Sequence, residues 1–102
     1  MYSRVTLLEI DTLRIDLDSA LTLFRERVLP QLREHPGYEG VYVLTTPEGK
    51  ALIMSLWETE EDAAGAQARV SDEELERYTM LFSSPPGREG YDVALVDVPT
   101  AV

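Results

Sequence analysis

The 102-residue chain contains no cysteine. That excludes disulfides, thiolate metal sites and cysteine nucleophiles, and it fits a reducing cytoplasm. Asparagine is also absent, and histidine occurs once, as His35. Basic residues are scarce: nine Lys and Arg stand against 19 Asp and Glu, for a net charge of −10. They are scattered from Arg4 to Arg88 and form no run. Nucleic acid and anionic membrane surfaces would repel such a chain, because phosphate binding depends on clustered Lys and Arg. The acidity reads as solubility. No basic segment followed by a long apolar run opens the chain, so no signal peptide is expected. The longest apolar stretches fall far short of a membrane span. The six glycines are dispersed and build no phosphate-cradling loop. Neither an H-E-x-x-H spacing nor a G-x-S-x-G elbow occurs. Glu58–Asp62 and Asp72–Glu76 are acid-rich, but they sit at helix starts and read as solvated ends, so no metal site is expected. No internal repeat or linker divides the chain, and residues 1–102 read as a single domain.

What is present is a hairpin. Pro36–Glu58 holds two runs rich in Val, Leu, Ile and Tyr, Gly40–Thr45 and Lys50–Glu58, and ends in the single Trp, Trp57. Between them Thr46-Pro47-Glu48-Gly49 suits a type I turn, with Pro second and Gly fourth. Upstream, Ser3–Asp11 reads as a strand. Asp18 or Ser19 can cap a helix running to about His35, with Leu17, Leu21, Phe24, Val28 and Leu32 as its apolar stripe. Pro30 should kink or split that helix. Downstream, Thr59 with Asp62 opens a second helical region in capping-box spacing. Ser71 with Glu74 opens a further helix over Asp72–Phe82. Tyr91–Val98 reads as the last strand. The order β-α-β-β-α-β predicts an α+β, ferredoxin-like plan: a four-stranded antiparallel sheet with two helices on one face.

The strands do not alternate apolar and polar as one-sided sheets do. Both faces are apolar, and the helices suffice to cover only one. An open face of this kind would exceed the roughly 300–600 Å² of the largest patch on an ordinary monomer, so a homodimer is expected. With Thr46–Gly49 as the turn, Tyr42 falls opposite Ile53, Gly40 opposite Ser55 and Tyr38 opposite Trp57. Trp57, Tyr42 and Tyr38 then share one face with the small residues Gly40, Ala51 and Ser55, an arrangement that can line a cavity. Val41, Val43, Leu52, Met54 and Leu56 share the other, as the expected dimer interface. A one-residue slip would exchange these assignments. The bland alternative makes Trp57 the largest core residue and nothing more.

The stretch PGYEGVYVL followed by ALIMSLWETEEDAAGA resembles the Pro-Gly-aromatic-x-Gly strand and the strand-Trp-Glu-acidic-helix segment of antibiotic biosynthesis monooxygenase domains, members of the dimeric α/β barrel superfamily. The resemblance is sharpest over Pro36–Ala66. It implies a dimer whose two sheets close into a barrel, with a pocket in each subunit between helices and sheet. It also implies that a Trp at the position of Trp57 lines that pocket, and that no cofactor is used by members that oxidise polycyclic aromatics with O₂. Haem-degrading members combine such a Trp with an Asn on the first strand and a His on the second helical region. This chain has no Asn, and its His35 ends the first helix, so haem degradation is set aside.

Two functions follow as expectations. One is a cofactor-independent monooxygenase acting on a small aromatic or quinol-type compound. The other is a non-catalytic module of the same dimeric fold that binds a small molecule or a partner. Candidate pocket residues are Trp57, Tyr42, Tyr38, Ser55, Phe24, Tyr78 and Arg25. An Arg there would polarise a carbonyl or hold an anion, and a Tyr would donate a hydrogen bond.

Overall fold

The computed structural model describes residues 1–66, 81–83 and 87–99. Strand β1 spans Tyr2–Glu9. The helix that follows has three parts: α1 over Leu17–Leu23, a π-helical turn over Phe24–Val28, and α2 over Leu29–Glu34. Strands β2 (Tyr38–Thr45) and β3 (Lys50–Trp57) form the hairpin. Helix α3 covers Glu60–Ala66, and β4 covers Gly87–Asp92. The four antiparallel strands lie in the order β2-β3-β1-β4. This is the ferredoxin-like arrangement expected from the order of elements. The greater part of the helix expected over Asp72–Phe82 lies outside the described residues.

Local chemistry explains the boundaries. Asp16, rather than Asp18 or Ser19, caps α1: its carboxylate accepts the Ser19 backbone N–H at 2.7 Å. Pro30 splits the helix as expected. It sits in the first turn of α2, where its missing N–H costs least, and the widened turn lies directly before it. There the Leu29 N–H reaches back five residues to the Phe24 carbonyl. The Thr59 hydroxyl accepts the Asp62 N–H at 3.1 Å, the cap foreseen for the second helical region.

Two features depart from the sequence reading. The last strand is Gly87–Asp92, not Tyr91–Val98. Its main chain pairs with β1 from Leu7↔Gly87 to Tyr2↔Asp92. An edge strand needs backbone partners more than apolar side chains, so the polar run G-R-E-G carries no side-chain signature of a strand while the apolar run after it does. Residues 93–99 continue beyond the sheet with no regular secondary structure and are largely exposed.

The second departure is the hairpin register. Thr46 pairs with Lys50: the Thr46 N–H donates to the Lys50 carbonyl at 2.9 Å, and the Gly49 N–H donates to the Thr46 carbonyl at 3.0 Å. The connection is therefore a type I turn followed by one extra residue, Gly49, in the left-handed region with φ of 101°. That extra residue places Val41 opposite Ser55, Tyr42 opposite Met54, Val43 opposite Ile53 and Leu44 opposite Leu52. A bulge between Tyr38 and Gly40 absorbs the offset and returns Tyr38 to Trp57. Relative to the expected register, β2 is turned over between Gly40 and Thr45. Val41 and Val43 are on the helix face, not the outer face. Tyr42 is on the outer face, not beside Trp57. Leu52, Met54 and Leu56 are on the outer face as expected.

Both helical regions pack on the face carrying Ala51, Ile53, Ser55 and Trp57. One core cluster joins Val28 and Leu32 to Trp57, Ala63 and Ala66. A second joins Leu8, Ile10 and Ala51, with Leu17, Ala20 and Phe82 against it. The opposite face of the sheet exposes Leu7, Tyr42, Leu44 and Tyr91 beside the half-buried Leu52, Met54 and Leu56.

Candidate functional site

Between the two core clusters the helices stand off the sheet and leave a cavity of about 80 Å³. Its walls come from three places. Ala20, Leu21, Leu23, Phe24 and Val28 descend from α1 and the π turn. Leu8, Val43, Thr45, Ala51 and Ile53 rise from the sheet. Ile10, Ile15, Leu81 and Phe82 close the end. Ala20 and Ala51 present only methyl groups to it, beside the larger Phe24 and Ile53. The closing end is held by main chain: Asp11 N–H donates to the Leu81 carbonyl at 2.8 Å, and Ile10 bridges Phe82. Among the described lining side chains Thr45 supplies the one hydroxyl. None of these residues is ionisable, so the cavity suits an uncharged, apolar occupant.

The Trp57 site is the neighbour of this cavity, not its lining. Trp57 is 1% exposed and packed among Val28, Leu32, Ala63 and Ala66, with Tyr2, Phe24 and Tyr38 around them. Tyr38 meets its ring edge-on, with centroids 5.7 Å apart. The indole Nε1–H donates to the Ser55 hydroxyl at 2.9 Å, and that hydroxyl donates to the Arg4 carbonyl at 3.3 Å. The buried indole is thereby satisfied, as a buried Trp must be.

The predicted pocket residues therefore divide. Trp57, Tyr38 and Ser55 are together in one packed cluster. Phe24 belongs to that cluster and also lines the cavity, so it joins the two. Arg25 is exposed on the outer side of the π turn. Tyr42 is on the far face of the sheet, for the register reason given above. Tyr78 lies outside the described residues. Among lining residues that were not proposed, Leu21 and Val28 were already visible in the helical stripe, and Ala51 and Ile53 in the alternation of β3. Val43 was hidden by the register shift. Ile10, Ile15 and Phe82 come from ends and connectors, where no periodicity marks a face.

His35 ends α2, with its N–H on the Leu32 carbonyl at 3.1 Å. Among the described residues no group of three or more His, Asp or Glu gathers as metal ligands would. Nor, among them, is any helix long and apolar enough to cross a membrane.

No family model and no curated protein matches the chain. Solved structures do. A monooxygenase from Streptomyces coelicolor, in complex with nanaomycin D, superposes with a TM-score of 0.74 at 20% identity, covering 97% of this chain and 92% of that one. A Deinococcus radiodurans protein assigned as an antibiotic biosynthesis monooxygenase gives 0.75 at 12% identity, over 99% and 100% of the two chains. SnoaB, a cofactor-independent oxygenase from Streptomyces nogalater, gives 0.73 at 9% identity, over 93% and 94%. The chain has the antibiotic biosynthesis monooxygenase-like fold. At these identities the likeness concerns the fold, and function has to be argued from the cavity.

Proposed function

We propose that the protein is a homodimeric, cofactor-independent oxygenase that takes a small, uncharged aromatic or quinol-type compound into the cavity between its helices and sheet. The observation that carries this reading is that no described residue lining the cavity is ionisable, in a fold that a cofactor-independent oxygenase also has. Its chemistry follows from what the lining lacks. With no acid or base among the described lining residues, the substrate must supply all four electrons that reduce O₂ and release its own protons. For an anthrone-type CH₂ the balance is complete without a co-reactant. One atom of O₂ becomes the carbonyl oxygen, and the other leaves as water with the two hydrogens of that carbon. The protein contributes orientation and a dry surrounding for the electron-rich ring.

The cavity must widen to admit such a ring. An engineered cavity of about 150 Å³ takes up benzene, and this one is smaller. The wall formed by Phe24–Val28 is the part suited to move, because a π turn exchanges hydrogen-bond partners more readily than a regular helix. The outer sheet face, with Leu52, Met54 and Leu56 at its centre, is the proposed dimer interface. A cytoplasmic setting belongs to the same proposal and rests on the cysteine-free composition.

The test is O₂ consumption with anthrone, in wild type and in Ala20→Leu, which fills the cavity. Turnover above background that falls at least about tenfold in a folded Ala20→Leu protein supports the reading. Turnover at background in wild type ends it. The absence of any ionisable lining residue among those described also favours a second reading, a binder without catalysis. In that case apolar ligands would change Trp57 fluorescence through Phe24, Ala20→Leu would abolish the change, and no ligand would be converted.

A further inference from the structure

The cavity between helices and sheet is too small, in its resting form, for an aromatic ring. It measures about 80 Å³, against about 150 Å³ for an apolar cavity that takes up benzene. Two waters would fit by volume, since each occupies about 30 Å³ in the liquid. They would find nothing to bind. A buried water needs about two to four polar partners, and the described walls expose carbon only, Thr45 included. The resting space is therefore dry.

An apolar gas meets neither objection. It needs no hydrogen bond, it loses nothing by leaving water, and it gains dispersion contacts with every wall. Engineered apolar cavities take up xenon for these reasons. The walls also differ in how far they can yield. Leu8, Val43, Ala51 and Ile53 stand on β1, β2 and β3, whose main chains are hydrogen-bonded into the sheet. Phe24 and Val28 stand on the π turn, whose hydrogen bonds exchange more readily. Entry of a ring therefore displaces the helix side and leaves the sheet side, with Ala51 and Ile53, as it is.

We infer that the resting volume of the cavity is a dioxygen site, and that the aromatic compound takes the space opened beside it. Dioxygen is the reactant of an oxygenase that this space fits unaltered. A molecule held against Leu8, Ala51 and Ile53 meets the ring as the ring arrives, in a compartment with no water between them. The catalytic use of the site rests on the oxygenase reading above; the binding of the gas does not.

Two measurements on the full chain test it. Dioxygen is paramagnetic and speeds the relaxation of protons it touches. Under oxygen pressure the Ala51 methyl should gain at least about threefold more relaxation than the methyls of Leu13, which is 96% exposed and meets only dissolved gas. Ala20→Leu should remove the excess. If that variant does not fold, pressurised xenon, which takes the same space without reacting, should remove it in wild type. An Ala51 methyl relaxed no more than Leu13, or an excess that survives the filled cavity or the xenon, overturns the site. In the second measurement xenon should inhibit anthrone turnover competitively with dioxygen and not with anthrone. Xenon that competes with anthrone and not with dioxygen puts the ring in the resting space and overturns the inference, while the oxygenase reading stands. Absence of turnover ends the oxygenase reading, and the methyl relaxation alone then decides the gas site.

Discussion

At the scale of single residues, the Trp57–Ser55 pair shows how a site that looks functional can be spent on packing. The indole is sealed among aliphatic side chains, and its N–H has one protein acceptor. Ser55→Ala removes that acceptor and leaves a buried donor unmet, which costs about 1–3 kcal/mol. Trp57→Phe removes the donor itself, so Ser55→Ala should cost less in a Trp57→Phe background than in wild type. Urea denaturation of the single and double variants measures this as a coupling between the two positions. Asp16 gives a pH-dependent counterpart. Accepting the Ser19 N–H holds its carboxyl below the usual value of 3.8. A group depressed on folding contributes stability that is full above its unfolded pKa and is lost as pH falls through its folded one. The midpoint difference between wild type and Asp16→Ala should therefore be full at pH 7 and vanish as pH drops below 3.8. Thermal melts across that range test it. Tyr91 moves the other way: donation of its phenol to the Glu89 carboxylate raises its pKa.

At the scale of elements, the hairpin decides which side chains reach the cavity. Gly49 holds φ of 101°, and a β-carbon there would stand 2.5 Å from the Ile10 carbonyl oxygen. Gly49→Ala meets both a disfavoured backbone region and a collision with main chain, and should cost about 1 kcal/mol or more in denaturant titration. This glycine also explains what was legible beforehand and what was not. The helical stripe from Leu17 to Leu32, the Thr59 cap, the split at Pro30 and the order of strands all rest on local periodicity and local chemistry. Each is present in the structure. Strand register rests on how many residues the turn consumes. Thr46-Pro47-Glu48-Gly49 is compatible with a turn closed at Gly49 or at Lys50, so the facing of Val41, Tyr42 and Val43 could not be read. The position of β4 failed for a related reason. Its pairing is a property of main chain, to which G-R-E-G gives no side-chain signature. The cavity itself is a gap between elements, lined by side chains such as Ala20 and Ala51 from distant parts of the chain.

At the scale of the molecule, the sheet has one face closed by helices and one face open. Dimerisation through the open face predicts that Met54→Asp, at its centre, gives a monomer that keeps its helical circular dichroism. Sizing with light scattering reads the mass, and an unchanged dimer would remove this face from the interface. The buried Ser3 hydroxyl, 4% exposed, has no hydrogen-bond partner among the described residues. It lies on the same face as Leu56 and Tyr91, where a second copy could supply one. The glycine that closes the hairpin has a last consequence, in genetic terms. Because side chains alternate with period two, loss of one codon at position 49 would turn over the strand from Val41 to Thr45 in a single step. Val43 would leave the cavity wall, and Val41 the helix-facing side beside it, for the outer sheet face, and Tyr42 and Leu44 would replace them. A lineage carrying that deletion would acquire a phenol on the cavity side and a smoother outer sheet face together, without a substitution in either.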